Sequence, residues 1–241
     1  MYTHLRAAAV TGVALLGLTL LPADPSVGTD VLPERRLRTA LLDTMDFPEG
    51  WAGDSARSAK ERGFGVPKPQ ERSCRALFDS TEKTAARAGF AKSESGPFVT
   101  TVLAAHESED AAHAAVTAFA RTAAECRTFH TREGPGRGTV TVAYDGADEA
   151  DGPGVKSLGE ESAALRFERR VEGARDRTPV VADVVIARVG AQVLRVAQAG
   201  RDDRGTDSLE PIADRAVEKL EQVAGGEDPA PPPDQPGTTR L

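Results

Sequence analysis

The two cysteines, Cys74 and Cys126, are the residues of this chain with the most clearly defined chemistry. Neither belongs to a Cys-x-x-Cys motif or stands beside a histidine in the sequence, which argues against a reactive thiol. In an oxidising compartment an isolated pair is most simply a disulfide. Closing a loop of about fifty residues would stabilise the fold by about 4 kcal/mol in the chain-entropy model. We therefore predict a structural disulfide between them.

Histidines near carboxylates could in principle bind a metal. His106 and His113 lie seven positions apart in an acidic stretch, whereas helical zinc ligands favour a spacing of i, i+4. One of them falls at the predicted end of a strand and the other within a predicted helix. His130 has no partner that the sequence reveals. We expect His106 and His113 to be surface histidines and predict no metal site.

Two further stretches resemble ligand loops but lack necessary residues. The acidic run Asp145–Gly152 fails the calcium-loop pattern because Ala147 occupies a position that needs an oxygen ligand. The glycine-rich run Gly134–Gly138 precedes a predicted strand, whereas a phosphate cradle needs a helix N-terminus. The chain also has no Gly-x-Ser-x-Gly or Ser-x-x-Lys motif. We therefore expect no enzymatic activity and no cofactor.

The remaining candidates are aromatic and basic. Phe47 and Trp51, the only tryptophan, share a predicted turn. Beside a cleft, such a pair could stack a ligand, and it is our weak candidate for ligand binding; alternatively it holds a loop against the core. Arg166, Arg169 and Arg170 could attract an anion, but an ion-paired or solvated strand face is the favoured interpretation.

Helical periodicity predicts three longer helices and one short helix. Ser108 is a suitable N-cap, and acidic residues follow it in the first turn, where the helix dipole favours them. Many glycines, prolines and charges at 52–71 predict an irregular segment. The predicted helices are Pro33–Asp43, a short helix carrying Cys74, Ser108–Thr128 and Ser208–Val223.

Alternating patterns and turn signals together predict five strands. Gly190-Ala191 separates two of them as a tight hairpin turn. Short connections between consecutive strands favour antiparallel pairing, so we predict a single α+β domain with a mainly antiparallel sheet of about five strands and helices packed against it. The predicted strands are Pro97–His106, Thr139–Tyr144, Ser162–Val171, Val180–Val189 and Gln192–Ala199.

The N-terminal segment, residues 1–28, has the layout of a secretory signal peptide, with Arg6 before an apolar run from Ala7 to Leu21. That run is shorter than the roughly 18–20 apolar residues that cross a bilayer, so a retained anchor is the less favoured alternative. Cleavage could follow Ala23 or Gly28. No cysteine stands near the end of the run to accept a lipid. We expect a secreted domain at 29–226.

Charge and composition restrict the partners. The formal net charge is −7, and a net negative charge does not favour binding to nucleic acid or to an anionic membrane surface. After signal cleavage we expect no stable membrane insertion. The proline-rich segment 227–241 has little apolar surface to bury and is predicted to be a disordered tail.

Sequence blocks around both cysteines resemble one family. The first block is Leu41-Leu42, then Phe47-Pro48-Glu49-Gly50-Trp51 and Ser73-Cys74-Arg75-Ala76-Leu77. The second is Ser108-Glu109-Asp110-Ala111-Ala112, followed by Phe119-x6-Cys126-Arg127. Together they are similar to the extracellular sensor domain of the PknH-type receptor kinases of actinobacteria and to its free-standing secreted or lipoprotein relatives. The resemblance covers roughly residues 35–224.

The resemblance implies a disulfide-bearing α+β domain outside the membrane, with a cleft for an undefined ligand. The chain departs from the family pattern in having one cysteine pair instead of two. Thr122 and Ala123 stand where a tryptophan often precedes the second cysteine. The sequence contains neither a kinase domain nor a lipid-anchor cysteine, so direct signalling is in doubt.

Two functions follow as hypotheses. The first is a sensor-like module that captures a small molecule or an envelope fragment in a cleft lined by apolar residues and a few polar groups. The second is a module that binds an envelope protein through a sheet edge or an apolar patch, without a small-molecule site. A hydrolase is the least favoured alternative.

Overall fold

The structure, a computed structural model, describes residues 31–54, 65–134, 140–147, 156–170, 179–201 and 209–231. The predicted signal peptide, most of the glycine-rich and acidic loops, and the predicted tail beyond Pro231 lie outside these ranges. Within them, no helix combines the length and the apolar character needed to cross a membrane.

Among the described residues, eight antiparallel strands form one sheet in the order β1-β2-β3-β8-β7-β6-β5-β4. Strands β7 and β8 form a hairpin at its centre, and both are almost completely buried, as expected for strands covered on both faces. The strands are β1 (Ala52–Gly53), β2 (Ala85–Ala91), β3 (Phe98–Ala105), β4 (Thr128–Glu133), β5 (Val140–Gly146), β6 (Glu161–Arg170), β7 (Val180–Val189) and β8 (Gln192–Arg201).

The predicted α+β class with a single antiparallel sheet is confirmed, but the prediction of about five strands is wrong because β1, β2 and β4 were missed. The sequence of β2, Ala-Ala-Arg-Ala-Gly-Phe-Ala, has little strand propensity, and pairing with β3 along its whole length overrides that preference. Strand β4 buries Phe129, Thr131 and Glu133. Two of these three residues are polar, so the strand lacks a simple alternation of apolar and polar residues.

In the described part of the chain the helices are α1 (Glu34–Ala40), α2 (Glu109–Glu125) and α3 (Leu209–Ala224). Two short 3₁₀ helices accompany them, η1 (Thr44–Asp46) and η2 (Ser73–Leu77). Helix α2 begins as predicted, because the Ser108 hydroxyl accepts the Ala111 N–H at 3.1 Å. It ends at Glu125, before the predicted Thr128, which instead begins β4.

The helices cover the sheet on both faces. Helices α1 and α3 pack on one face over a core that includes Leu37, Phe47 and Leu220. On the opposite face, α2 and η2 cover a second core that includes Phe119 and Phe129. The domain therefore has two separate cores with the sheet between them.

Cys74 and Cys126 form the predicted disulfide, which joins η2 to the residue that follows α2. Both cysteines are buried in the core beneath α2. The bond therefore links the two elements, η2 and the end of α2, that cover this face of the sheet.

Candidate ligand-binding cleft

A shallow, open cleft of about 430 Å³ lies between the end of α1, the turn that follows it, Lys219 of α3 and Pro229. Its volume falls in the range typical of small-molecule sites. Arginine, aspartate, lysine and threonine side chains share its wall with leucines and a proline. The lining residues are Arg38, Thr39, Leu41, Leu42, Asp43, Lys219 and Pro229.

The turn between α1 and η1 forms one wall of the cleft. Leu41 takes an extended conformation at the end of α1, and Leu41 and Leu42 are both buried. Asp43 then caps η1, with its carboxylate accepting the Met45 N–H at 2.7 Å. In return, the Asp46 carboxylate accepts the Asp43 N–H at 2.8 Å. This reciprocal capping fixes the position of Asp43 at the cleft.

A cluster of charged residues lies beneath the opposite wall. Lys219 Nζ donates to Asp43 Oδ2 at 2.9 Å and to Asp46 Oδ2 at 2.7 Å. Arg215 Nε donates to Asp46 Oδ1 at 2.9 Å, and its Nη1 donates to Glu218 Oε2 at 2.9 Å. The Lys219 and Asp46 side chains are only 6% and 2% exposed. Charges this deeply buried persist when they are paired and hydrogen-bonded, as they are here.

The cluster favours the charged forms of Asp43 and Arg215. Burial raises the pKa of Asp43, but the Lys219 hydrogen bond, the Met45 N–H and the positive charges of Lys219 and Arg215 outweigh burial and lower it overall. Burial lowers the pKa of Arg215, but its bonds to Glu218 and Asp46 raise it overall. Asp43, which lines the cleft, and Arg215, which lies behind it, are therefore both held in their charged forms.

Residues just beyond α3 complete the site. Arg215 Nη2 donates to the Ala230 carbonyl, and the Ala230 N–H donates to Gln222 Oε1 at 2.9 Å. Arg36 Nη2, from α1, donates to the Val223 carbonyl at 2.7 Å. These bonds place Pro229 in the cleft wall, although the segment from 227 onward was predicted as a disordered tail.

Phe47 and Trp51, the predicted ligand-binding pair, are absent from the described lining of this cleft. Phe47 is buried, and its ring centroid lies 4.9 Å from that of Trp51 and 4.4 Å from that of Phe90. Trp51 is half-buried and packs against the same core. The contacts match the interpretation in which the pair holds the turn against the sheet, next to the cleft-forming η1.

The three arginines of β6 are ion-paired, as the favoured interpretation predicted. Arg166 makes two bonds to the buried Asp183, at 2.8 and 3.1 Å. The other two arginines contact carboxylates of β4 and β5: Arg169 with Glu133 of β4, and Arg170 with Asp145 of β5.

The histidines are not all at the surface. His113 lies 2.8 Å from Glu161, and His130, for which the sequence revealed no partner, lies 2.8 Å from Glu71. The expectation of a surface position is wrong for His106, which is buried at the end of β3. Among the described residues, no group of three or more histidine, cysteine or carboxylate side chains could hold a metal.

Arg215 and Lys219 are not among the residues predicted from the sequence. They lie one helical turn apart in α3, beside its apolar stripe. Charged residues in that position usually belong to the solvent-exposed face of a helix. Their burial next to Ala216 and Leu220 depends on η1, which lies about 170 residues earlier in the chain. An i, i+4 pair of basic residues bordering an apolar stripe is the only signal that the sequence offered.

No family model and no curated protein matches this chain. Among solved structures, it is similar to the crystal structure of the extracellular domain of PknH from Mycobacterium tuberculosis. The two are 14% identical, with a TM-score of 0.49, and the match covers 83% of this chain and 100% of that one. A likeness of this size does not establish a family.

Proposed function

We propose that this protein is a secreted, sensor-like binding module that captures a small molecule or an envelope fragment in the cleft between α1 and α3. The observation that carries the proposal is the cleft itself, which is about 430 Å³ in volume and has hydrogen-bonded charged groups in its wall. The proposal includes removal of residues 1–28 during secretion. The buried disulfide is consistent with an oxidising compartment.

The groups in the cleft indicate which ligand chemistry would fit. The Asp43 side chain is 60% exposed, so its carboxylate can accept a hydrogen bond from an incoming amine or hydroxyl. Arg38, exposed and paired with Glu34, lies on the same wall and can donate to an acidic or carbonyl oxygen. A polar small molecule with donor and acceptor groups, such as a sugar or an amino acid derivative, is the ligand class that we propose.

The charged cluster would make binding less costly. Asp43 is already oriented by three hydrogen bonds, from its own N–H to Asp46 and from Met45 and Lys219 to its carboxylate. A ligand that binds to Asp43 therefore does not have to immobilise a flexible side chain. Preorganisation of this kind increases affinity because it lowers the entropy lost on binding.

Native mass spectrometry of the protein from the culture medium of its natural host tests the proposal. It reports signal cleavage, the disulfide and any retained ligand in one spectrum. We expect an extra mass that disappears on denaturation. The variant Thr39→Trp places a large ring at the cleft and should lose this mass, whereas Arg35→Trp, exposed on the same helix and outside the cleft lining, should keep it.

Two outcomes would contradict the proposal. If the Thr39→Trp variant retains the extra mass, the ligand binds at another site. A bare protein in every preparation would favour the alternative function, a module that binds an envelope protein, and pull-down from envelope extracts would then identify the partner.

A further inference from the structure

Arg195 is the most unusual charged residue on the sheet face beneath α2. It lies in the middle of β8, between Val102 of β3 and Ile186 of β7 in the pairing register. Its neighbours on the same face of β8 are Val193 and Ala197, both buried in the apolar core. Arg195 itself is only 6% exposed. A guanidinium in this position needs partners for its N–H groups.

Part of this guanidinium has no hydrogen-bond partner among the residues that the structure describes. The Nε and Nη1 atoms are buried, and no group in the described ranges accepts a hydrogen bond from either. Burial lowers the pKa of Arg195 to about 10, against the opposing effect of Asp79 and Glu82, so the side chain is still charged at neutral pH. Buried charged donors left open in this way are costly, and the cost is recovered when an acceptor binds.

The two nearby carboxylates do not supply that acceptor. Asp79 is bound by Arg87, at 2.6 Å from Nη2 and 3.0 Å from Nε. The Glu82 side chain is 41% exposed, and its Oε1 lies 3.7 Å from Nδ1 of the buried His106. Asp79 and Glu82 therefore lower the electrostatic cost of burying the guanidinium, but they do not accept hydrogen bonds from its buried Nε and Nη1 atoms.

The segment that carries these carboxylates has an ordered conformation at the edge of the site. Arg87 Nη2 donates to the Ser80 carbonyl at 3.1 Å, and the Glu82 N–H donates to the Ser80 hydroxyl at 3.1 Å. His106, which follows β3, has a buried Nε2 that also has no partner in the described part of the chain. Unpartnered polar atoms of two residues thus lie near one partly exposed carboxylate.

We propose that Arg195 is the anchor of a second binding site, which takes the oxygen of a small oxyanion such as a carboxylate or a phosphate. The anion would bind to the open N–H groups of Arg195 and lie close to Glu82 and His106. Arginine is the residue best suited to such oxygens, because its donors are charged and fixed in one plane. This site is on the sheet face opposite the α1–α3 cleft, so it does not depend on the function proposed for that cleft.

Isothermal titration of the mature protein with inorganic phosphate, and separately with acetate, at constant ionic strength tests the site. We expect saturable binding of at least one of the two anions and a loss of about tenfold or more in affinity for Arg195→Met. Glu82→Gln removes a repelling charge and should bind the same anion more tightly. Glu94→Gln, at an exposed position in the turn between β2 and β3, is the matched control and should bind like the unmodified protein.

Absence of saturable binding by both anions would overturn the proposal, and so would equal affinity for Arg195→Met and the unmodified protein. If Arg195→Met does not fold, as judged by circular dichroism, Glu82→Gln decides. Tighter binding by that variant supports an anion near Glu82, and unchanged affinity refutes it.

Discussion

Lys219 Nζ and Asp46 Oδ2 lie 2.7 Å apart, although 173 positions separate the two residues in the sequence. Lys219 belongs to the last helix and Asp46 to the first 3₁₀ helix, so the bond joins the two ends of the described chain. It also fixes Asp43 at the cleft, because Lys219 donates to both carboxylates. The Lys219 side chain thus links η1 to α3 on this face of the sheet. It also positions Asp43, the residue proposed to bind the ligand.

Lys219→Met should destabilise the fold by about 3–5 kcal/mol, because it leaves the buried Asp46 carboxylate without one of its two cationic partners. Urea unfolding followed by circular dichroism measures the change. Lys156→Met is the matched control, since Lys156 is 83% exposed and pairs with Glu210 at 3.5 Å. A cost for Lys219→Met as small as that of the control would show that the cluster adds nothing to stability.

Cys74→Ser and Cys126→Ser should each destabilise the domain by about 4 kcal/mol or somewhat less, because each removes the same cross-link between residues 52 positions apart. The double variant should be close to either single variant in its free energy of unfolding. Chemical denaturation of all three, without added reductant, provides the comparison. Fully additive losses would mean that the two cysteines act independently.

The sequence predicted those parts of the fold that have a clear local pattern. The helix from Ser108 has an N-cap and an apolar stripe, and the β7–β8 hairpin has two mainly apolar runs on either side of Gly190, whose φ is +56°. Strands β2 and β4 lack such patterns. Ala85–Ala91 is rich in small residues and is a strand because β3 pairs with it, while β4 buries Glu133 against Tyr144 and Arg169.

The candidate sites depend on contacts between distant residues and were therefore harder to predict. Nothing local in α3 indicates that Lys219 meets Asp43 and Asp46. Arg195 did leave a signal, because it shares a strand face with Val193 and Ala197, and a charge in an apolar row is unusual. That signal shows a buried charge but not whether the charge has a partner, which only the packed structure shows.

Phe47→Ala should destabilise the protein by about 3–5 kcal/mol, because the ring is buried between Trp51 and Phe90. Trp51→Ala should cost less, since Trp51 is only half-buried. Thermal unfolding ranks the two variants, and native mass spectrometry shows whether each retains the ligand mass. Loss of that mass by a well-folded Trp51→Ala variant would show that the predicted aromatic pair takes part in binding after all.

His106 should make the fold less stable as the solution becomes acidic. Burial lowers the pKa of this histidine, and the positive charge of Arg195 lowers it further, while Glu82 has the opposite effect. The unfolded chain therefore binds a proton at a higher pH than the folded chain. The stabilising contribution of neutral His106 is complete above the ordinary histidine pKa of about 6.5 and is lost as the pH falls through the lowered folded-state pKa.

The free energy of unfolding, measured in urea between pH 7.5 and 5, provides the test. Because other groups also titrate in this range, the informative quantity is the difference between the unmodified protein and His106→Gln. As the pH falls, we expect the unmodified protein to lose more of its free energy of unfolding than His106→Gln does. The reason is that glutamine cannot acquire the buried charge. His113→Gln, at an exposed position, controls for the loss of one imidazole. A difference that stays constant over this range would mean that His106 does not pass through a destabilising protonation, and that its environment is more polar than its burial indicates.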